Sequence, residues 1–368
     1  MKSKYLRIAA KAVSVLTVVF ALLLIILKSG TAPSAASIPP KDYVVYFVST
    51  WPVQGYYGYH VLSGKIDRLD IPFPDTVGAT ACSPGGRLLY VPSGGSILAV
   101  NTRTQKIEDI IPFPAMDGLA SSGDGRYLAI NGDPFRLVRL SDHAVVYEDT
   151  LSAAVYSTFS VDNTRLYYVR WNRFRTGSAF RVDLMHDFEV KEMYLMDVPA
   201  RMLAVTCDES RSFIRDMSGM FWALGHNMRR YPFYRQLSSP GHMAMTPDER
   251  YIFLTEQGDS DGNEGRSYLT VYDIDSNRVD RLVPTVGLVD GFEPEALSLN
   301  ELAITPDGRW LIVSGGLSSN VFLRFSIEKM QFDRYVKIEG SNQLVSFTCQ
   351  ALPCDGHLGQ LFRAETTP

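Results

Sequence analysis

The sequence predicts an all-β fold, a β-propeller of seven four-stranded blades, preceded by an N-terminal apolar helix. Three observations carry this prediction. A turn rich in Pro, Asp and Gly recurs at intervals near 40 residues, and a β-rich run follows each copy at once. An uncharged apolar run, Ala12–Leu27, lies between two lysines near the N-terminus.

The clearest copy of the turn is TPDGR at Thr305–Arg309, and the apolar run Trp310–Val313 follows it as a predicted buried strand. Pro presets φ for a turn, Asp can bond its own backbone, and Gly accepts positive φ. The arginine that follows each turn lies at positions 87, 126, 165, 211, 250 and 309, which gives spacings of 39, 39, 46, 39 and 59. A period near 40 with β content is typical of propeller blades, and the longer intervals are then loop insertions.

Each repeat reads as four strands. A short apolar inner strand precedes the turn, as at Leu302–Ile304, and a second strand follows it, as at Tyr251–Leu254. The third strand alternates towards a polar turn, as at Tyr268–Asp273, and a fourth follows, as at Arg278–Val283. Four strands per repeat is the composition of a propeller blade.

The first blade lacks an inner strand of its own. Its second, third and fourth strands are predicted at Asp42–Val48, Gly58–Leu62 and Lys65–Leu69. We expect Leu344–Thr348, from the other end of the chain, to supply the inner strand, since closure by both termini leaves no open edge in the ring. The predicted count is seven blades; six or eight would follow if the weak unit at Cys207–Gln236 were misread.

The segment Thr305–Gly316 resembles the repeat of YVTN-type, WD40-like β-propellers, and Pro240–Asp248 resembles the inner strand of the same repeat. The resemblance covers residues 42–350 and is strong in the turns. The eponymous motif is degraded to Tyr90–Ser93 and Leu311–Ser314. This family includes surface proteins, binding propellers and propeller subunits of amine dehydrogenases, so the resemblance implies the fold and says little about function.

The N-terminus carries a membrane signal. Basic residues precede the run Ala12–Leu27, whose 16 residues span about 24 Å as a helix. One interpretation is an uncleaved anchor extended by snorkelling lysines, and the other is a signal peptide cleaved near Ser34–Ala36. Either way the positive charge keeps the N-terminus inside, and the rest of the chain is extracytoplasmic, secreted or periplasmic if cleavage occurs.

Four segments follow from these patterns. Residues 1–28 are the anchor or signal peptide, 29–41 a linker rich in Pro, Ser and Ala, 42–350 the propeller and 351–368 a C-terminal tail. The formal net charge of −4 gives no basic footprint for nucleic acid. The expected partners are therefore the membrane, through the N-terminal helix, and a protein or cell-envelope component.

The predicted ligand or partner face is the one at which inner strands begin and second strands turn into third strands. Inner-strand residues expected there are Asp117, Tyr156, Arg201, His242 and Glu301. The matching loops supply Trp51, Tyr56, Trp171 and Arg173. Aromatics beside arginines suit recognition of a partner, a glycan or an anion. The alternative is a solvated rim with aromatics packed between blades.

No motif predicts catalysis or a cofactor. The loop carrying Asp259, Asp261 and Asn263 has oxygen ligands at alternate positions, as calcium requires, but departs from the EF-hand pattern. We expect a solvated loop there. The sequence contains no zinc-helix spacing of histidines, no haem motif, no nucleophile elbow and no Walker loop. His242 is expected to be a hydrogen-bonded structural histidine rather than a general base.

The four cysteines are too few for a disulfide scaffold. Cys349 and Cys354 enclose four residues, and in an oxidising compartment we expect them to form a disulfide. Cys82 and Cys207 are expected to be separate buried thiols.

The sequence therefore favours a non-catalytic binding module, membrane-tethered and extracytoplasmic. The alternative is an enzyme, either a propeller subunit of an amine-dehydrogenase-like oxidoreductase or a lactonase-type hydrolase. Convergent carboxylate, Asn or His side chains at the channel mouth would favour the enzyme, and an aromatic, basic rim would favour binding.

Overall fold

The structure is a computed structural model that describes residues 43–52, 55–71, 80–115, 118–151, 153–160, 162–171, 177–196, 200–216, 219–225, 230–231, 240–256, 268–285, 299–315, 321–337 and 341–348. These residues form seven antiparallel sheets of four strands each, which confirms the predicted propeller and its blade count. Among them no helix is long and apolar enough to cross a membrane, and the predicted helix at Ala12–Leu27 lies outside them.

Blade 1 is assembled from both ends of the described chain. Its strands, from the channel outwards, are β28 (Ser341–Thr348), β1 (Val44–Pro52), β2 (Gly55–His60) and β3 (Ile66–Leu69). Phe47 of β1 pairs with Phe347 of β28. The predicted closure of the ring by the two ends of the chain is therefore confirmed, with β28 starting three residues earlier than expected.

Blades 2 to 4 follow in chain order, each running from the channel outwards. The strands of blade 2 are β4 (Ala81–Cys82), β5 (Leu88–Ser93), β6 (Ser96–Asn101) and β7 (Ile107–Ile111). Those of blade 3 are β8 (Gly118–Ser121), β9 (Tyr127–Asn131), β10 (Phe135–Arg139) and β11 (Val145–Asp149). Those of blade 4 are β12 (Ala154–Phe159), β13 (Arg165–Trp171), β14 (Gly177–Asp183) and β15 (Glu189–Met196). A short 3₁₀ turn, Pro84–Gly86, joins β4 to β5.

Blades 5 to 7 complete the ring. The strands of blade 5 are β16 (Ala200–Val205), β17 (Arg211–Asp216), β18 (Phe221–Gly225) and β19 (Arg230–Tyr231). Those of blade 6 are β20 (Pro240–Met245), β21 (Tyr251–Glu256), β22 (Tyr268–Asp273) and β23 (Arg278–Pro284). Those of blade 7 are β24 (Leu299–Ile304), β25 (Trp310–Gly315), β26 (Val321–Ser326) and β27 (Gln331–Lys337). The weak unit around Cys207 is thus a true blade, although its outer strand has only two residues.

The apolar core consists of seven layers, one between each pair of neighbouring blades. Successive side chains of a strand point to opposite faces of its sheet, so each second strand supplies two layers. In β25, Leu311 and Val313 pack against blade 6, whereas Ile312 packs against blade 1. Because both faces of each blade are covered, these strands are continuous apolar runs.

The recurring turn is held by hydrogen bonds to its opening hydroxyl in blades 2 to 7, and in blades 3 to 7 an aspartate adds further bonds. In blade 7 the Trp310 N–H donates to Thr305 Oγ1 at 3.0 Å, and that hydroxyl donates to Asp307 Oδ1 at 2.7 Å. Asp307 Oδ1 also accepts from the Arg309 N–H at 3.1 Å, and the Gly308 N–H donates to the Thr305 carbonyl at 2.8 Å. Thr305 is fully buried, so the turn satisfies a polar group that water does not reach.

The fourth residue of each turn has positive φ, and in blades 3 to 7 it lies against the preceding blade. It is Gly308 (φ 67°) in blade 7, where a Cβ would stand 3.4 Å from Pro247 of the blade 6 turn. It is Glu249 (φ 57°) in blade 6, and its Oε1 accepts from the Cys207 N–H at 2.5 Å. In blade 5 it is Glu209, which pairs with Arg181 Nη1 at 3.0 Å. The turns therefore form an interlocked series around one face.

Two of the arginines used to measure the repeat are out of register. In blades 4 and 5 the residue directly after the left-handed position is Thr164 or Ser210, and Arg165 and Arg211 come one residue later. Counted from the Ser or Thr that opens each turn, the repeats begin at 83, 122, 160, 206, 246 and 305. The hydroxyl, rather than the arginine, marks the true period.

The described cysteines differ from each other. Cys82 is a buried free thiol in the layer between blades 1 and 2, as predicted. Cys207, in the blade 5 turn, is half-buried and disulfide-bonded, so the prediction of a buried thiol there is wrong. Cys349 and Cys354 lie outside the described residues, and the bridge between them stays a prediction.

Thr305→Val tests the turn. The substitution keeps the side-chain shape but removes the acceptor for the Trp310 N–H and the donor for Asp307, so we expect a loss of about 1–2 kcal/mol in the free energy of unfolding. Urea unfolding measures it. Thr104→Val, at an exposed site, is the matched control and should change stability by less than about 0.5 kcal/mol. Equal losses in both variants would contradict the role of the turn hydroxyl.

The turn aspartates predict a dependence of stability on pH. The Ser210 N–H and the Thr206 hydroxyl hold the pKa of Asp208 below its usual range. A lowered folded-state pKa contributes stability above the unfolded value, near 4, and that contribution is lost as pH falls through the folded pKa. Asp208→Asn should therefore be less stable than wild type at pH 7, with a gap that narrows below about pH 4, measured by urea midpoints. A constant gap would contradict this origin.

Candidate functional site

The two faces of the ring differ in whether their side chains repeat from blade to blade. The turn face carries the six hydrogen-bonded turns that open at residues 83 to 305. The opposite face, called here the mouth face, is where inner strands begin and second strands end. Four residues before each turn hydroxyl, at the mouth end of the inner strand, the chain has Gly118, Tyr156, Met202, His242 and Glu301. These equivalent positions share no chemistry, so the fold does not dictate them.

His242 and Glu301 meet at the mouth face. They lie on neighbouring inner strands, β20 and β24, and His242 Nε2 is 3.0 Å from Glu301 Oε1. The His242 side chain is 22% exposed and that of Glu301 is 14% exposed. The structure thus brings together two residues predicted for this face, and it gives His242 the hydrogen-bonded role expected for it.

Backbone contacts fix both members of the pair. The His242 N–H donates to Thr255 Oγ1 at 2.7 Å, and the Glu301 N–H donates to Ser314 Oγ at 3.0 Å. Thr255 and Ser314 end the second strands of the same blades and are fully buried. Each inner strand is therefore held to its neighbour at the point where its functional candidate projects, which limits the movement of the pair.

Arg215 lies next to this pair and has no exposed surface. It belongs to β17 of blade 5, and its Nη1 donates to two carbonyl oxygens of blade 6, Thr255 at 3.0 Å and His242 at 3.2 Å. Blades 5, 6 and 7 are thus linked in sequence by a guanidinium and an imidazole.

A second polar group lies at the mouth end of the layer between blades 3 and 4. Asp149 Oδ2 accepts from Arg170 Nη1 at 2.7 Å and from the Tyr168 hydroxyl at 2.8 Å. The carboxylate is 3% exposed and the guanidinium 19%. Arg170 also lies 4.1 Å from the ring centroid of Phe180, so an ion pair caps the aromatic layer beneath it. Burial raises the pKa of the Tyr168 phenol, which stays protonated.

Predicted partner-face aromatics lie in strands rather than on loops. Tyr56 is in β2, 1% exposed, within the apolar layer between blades 1 and 2, so its expected place on an exposed loop is wrong. Trp51 lies in β1, where it pairs with Gln343. Trp171 ends β13, is half-buried, and donates from Nε1 to the Ala200 carbonyl at 2.6 Å. Trp171 therefore connects blades 4 and 5, as expected for aromatics packed between blades.

Of the remaining predicted residues, two lie in described inner strands and five lie outside the described part of the chain. Arg201 is the second residue of β16 and is half-buried. The register places Met202, not Arg201, in line with His242. Tyr156 is in line with them, and desolvation by burial raises its pKa to about 12. Five predicted residues lie outside the described part of the chain: Asp117, Arg173, Asp259, Asp261 and Asn263.

The geometry of the mouth limits its chemistry. Within the described ranges no three His, Cys, Asp or Glu side chains stand close enough together to hold a metal ion. A histidine held by a carboxylate can transfer a proton or bind a ligand that offers a hydrogen-bond donor. Sequence reasoning missed Arg215, Asp149 and Arg170. Their only signal is a charged residue at the mouth end of an otherwise apolar strand.

Comparisons with known proteins agree on the fold. A putative 6-phosphogluconolactonase from Bacteroides fragilis is similar over 84% of this chain and 98% of its own, with a TM-score of 0.57 and 10% identity. The β-propeller domain of Cps50 (Swd1) from Myceliophteria thermophila covers 74% and 89%, with a TM-score of 0.55 and 10% identity. Dihydro-heme d1 dehydrogenase NirN, in complex with DHE, covers 84% and 76%, with a TM-score of 0.53 and 10% identity.

At this identity the likeness concerns the fold alone. No protein-family model matches the chain, and no curated protein matches it. The YVTN-type resemblance of the turns is therefore not confirmed at the level of family, whereas the seven-bladed propeller is confirmed by the strand pairing and by these structures.

Arg170→Met tests the polar cap between blades 3 and 4. Removing the guanidinium leaves the buried Asp149 carboxylate without its cation, and we expect a loss of about 3 kcal/mol in the free energy of unfolding. Arg139→Met is the matched control, because Arg139 and Asp142 are both about half exposed and water screens such a pair, so its loss should change stability little. Urea unfolding at pH 7 compares them, and equal losses would contradict the assignment.

Proposed function

We propose that this protein is a non-catalytic binding module whose mouth face binds a protein or another component of the cell envelope. The supporting observation is the contrast between its two faces. On the turn face the polar side chains repeat from blade to blade and bond to the turn backbone. On the mouth face, Tyr156, Met202, His242 and Glu301 occupy equivalent positions with different chemistry and partial or full burial. Residues that the fold leaves free to vary are those available for a ligand.

The electrostatics of the mouth indicate the kind of contact. His242 and Glu301 are partly exposed and paired, so a ligand can take either the imidazole or the carboxylate as a hydrogen-bond partner. Tyr156, which is half-buried, provides apolar surface on a neighbouring blade, whereas Met202 is buried in the layer between blades 5 and 6. A mixed apolar and charged surface of this kind suits a protein partner better than a highly charged polymer.

We further propose that the module is tethered outside the cytoplasm. Two observations support this. The apolar run Ala12–Leu27 follows a cluster of positive charge, which favours an N-terminus inside. Cys207 is disulfide-bonded, and disulfides persist mainly in oxidising compartments. Cleavage of the N-terminal segment would release the propeller into the same compartment.

A second candidate is a lactonase-type hydrolase. The observation that favours it is the His242–Glu301 pair, because a carboxylate-held histidine can act as a general base. A lactonase of this kind would need its substrate carbonyl and a water within hydrogen-bond reach of His242. The alternative of an amine-dehydrogenase-like subunit depends on the resemblance of the turns and has no such side-chain pair in its favour.

Capture of the partner tests the binding surface. The full chain is expressed in its own membranes, with a photo-crosslinking residue in place of Arg201, which is half-buried at the mouth end of β16, and cross-linked partners are quantified. Glu301→Gln should lower recovery about tenfold, as expected for loss of a charge-assisted hydrogen bond. Glu328→Gln, on an exposed turn of the opposite face, is the matched control and should leave recovery unchanged. Equal recovery from both variants would contradict the mouth face as the binding surface.

The same variants separate the two candidates. Lactone hydrolysis by the purified chain that falls at least tenfold in both His242→Gln and Glu301→Gln would favour the hydrolase. If the wild-type chain hydrolyses no lactone and the Glu301→Gln variant loses partner recovery, the result favours the binding module. Folding of each variant is checked by its urea midpoint, so that a loss of structure is not read as a loss of function.

A further inference from the structure

A groove opens on the turn face between blades 2 and 3, at the opposite end of the ring from the mouth. Its volume is about 450 Å³, and small-molecule sites typically measure roughly 300–1,000 Å³. Blade 2 supplies a floor that is apolar apart from one phenol, and blade 3 supplies a basic rim. The residues that decide its chemistry are Leu88, Tyr90, Ala99, Asp109, Gly125 and Arg126.

The same place between blades 4 and 5 is filled by a paired carboxylate. Glu209, the left-handed residue of the blade 5 turn, accepts a hydrogen bond from the Tyr167 hydroxyl. Its carboxylate also lies 3.3 Å from Arg165 Nε and 3.0 Å from Arg181 Nη1. In this pair of blades, a tyrosine of the second strand is therefore matched with an acceptor from the next turn.

Between blades 2 and 3 the tyrosine is kept and its three partners are lost. Tyr90 is equivalent to Tyr167, because each lies seven residues after the hydroxyl that opens its turn. Turn position and strand pairing identify the other equivalent residues. The replacements are Gly125 for Glu209, Leu88 for Arg165 and Ala99 for Arg181. The groove is thus the space that one carboxylate and two guanidinium groups occupy between blades 4 and 5.

Tyr90 faces this space with a hydrogen-bond donor. The residue is 4% exposed and lines the groove, and within the described ranges its hydroxyl has no hydrogen-bond partner. Burial, together with the nearby Asp109 carboxylate, raises the pKa of Tyr90 to about 12, so the phenol keeps its proton at pH 7. The groove therefore offers a donor at the point where blade 4 has a donor bound to a carboxylate.

The rim of the groove adds positive charge. The Arg126 side chain is 57% exposed, and its Nε donates to Asp124 Oδ2 at 2.5 Å. Among the described residues its two Nη groups meet no acceptor, so both can donate to a ligand. Asp109 also lines the groove and opposes an anion, although its carboxylate lies 2.8 Å from His143 Nε2. We therefore expect a ligand carboxylate on the side of Gly125 and Arg126.

We propose that this groove binds a small organic carboxylate. The ligand carboxylate takes the place that the Glu209 side chain has in blade 5, accepting from the Tyr90 hydroxyl and from Arg126. Its apolar body lies over Leu88 and Ala99. The inference does not depend on the proposed function, because the groove and the mouth open on opposite faces of the ring.

Titration calorimetry of the full chain in detergent tests the site, with benzoate as the probe. Wild type should bind benzoate, and benzyl alcohol, which has the same ring without the charge, should bind at least tenfold more weakly. Tyr90→Phe should weaken benzoate binding about tenfold, as expected for loss of a hydrogen bond to a charged group. Tyr251→Phe, at a half-buried tyrosine of blade 6, is the matched control and should bind benzoate as wild type does.

Gly125→Glu places a carboxylate of the protein itself in the groove and should abolish benzoate binding. Gly125 has φ 71°, and Glu209 adopts φ 55° at the equivalent position, so the backbone accepts the change. Gly308→Glu, at the equivalent position of blade 7 with φ 67°, is the control. Both variants should lower the urea midpoint by a similar amount, since each places a side chain at positive φ, and only Gly125→Glu should lose benzoate.

Three results would overturn the proposal. The first is a wild-type chain that binds no benzoate. The second is equal affinity of wild type for benzoate and for benzyl alcohol. The third is benzoate binding that Tyr90→Phe and Gly125→Glu leave unchanged. Loss of benzoate in the Tyr251→Phe or Gly308→Glu control would place the probe elsewhere and would equally reject the groove.

Discussion

The hydroxyl that opens each turn is the interaction on which the ring depends. Thr305 and its equivalents sit at the buried end of an inner strand, where the chain must reverse and two backbone groups lose their pairing. The Thr305 hydroxyl oxygen accepts from the backbone N–H five residues later, and the hydroxyl donates to the turn aspartate. Buried polar groups are costly when unsatisfied, so this small network allows the reversal to occur close to the channel.

The turns also set how blades meet. Their left-handed fourth residue lies against the preceding turn, and a side chain there is tolerated when it gains a contact. Glu249 adopts φ 57° and binds the Cys207 N–H, whereas Gly308 at the same place leaves room for Pro247. A left-handed residue other than Gly costs about 1 kcal/mol, which the contact with the neighbouring blade offsets. The backbone conformation of each of these turns is thus coupled to its packing against the neighbouring blade.

Much of the fold follows from the sequence, because the ring repeats a local rule. The period near 40, the turn chemistry and the missing first inner strand together predict seven blades closed by Leu344–Thr348. Register was harder to predict. Arg165 and Arg211 look equivalent to the other turn arginines in the sequence, yet they lie one position later, because the backbone reversal is set by the hydroxyl that opens the turn and not by the arginine.

The candidate site was predicted less well, for a physical reason. His242 and Glu301 were identified because inner-strand positions can be counted back from the turn. The sequence alone favours a loop for Tyr56, because a hairpin loop rich in aromatics resembles a strand end rich in aromatics. The strand pairing shows that Tyr56 lies within a strand, and its side chain is buried there. Arg215 was missed because a charged residue inside an apolar strand has no periodic signal. Its carbonyl partners come from another blade, 27 and 40 residues away along the chain.

The placement of Arg215 helps to explain why side chains at the mouth face can differ from blade to blade, whereas those at the turn face repeat. The buried guanidinium donates to two backbone carbonyls of blade 6, and so holds the inner strand of that blade through its main chain. Position 242 is thereby held in space while its chemistry stays unconstrained by the fold. On the turn face the opposite holds, because the side chains themselves make the structural hydrogen bonds. A propeller whose mouth is anchored through the backbone can change its ligand by substitution at Tyr156, Met202, His242 or Glu301 and retain its ring.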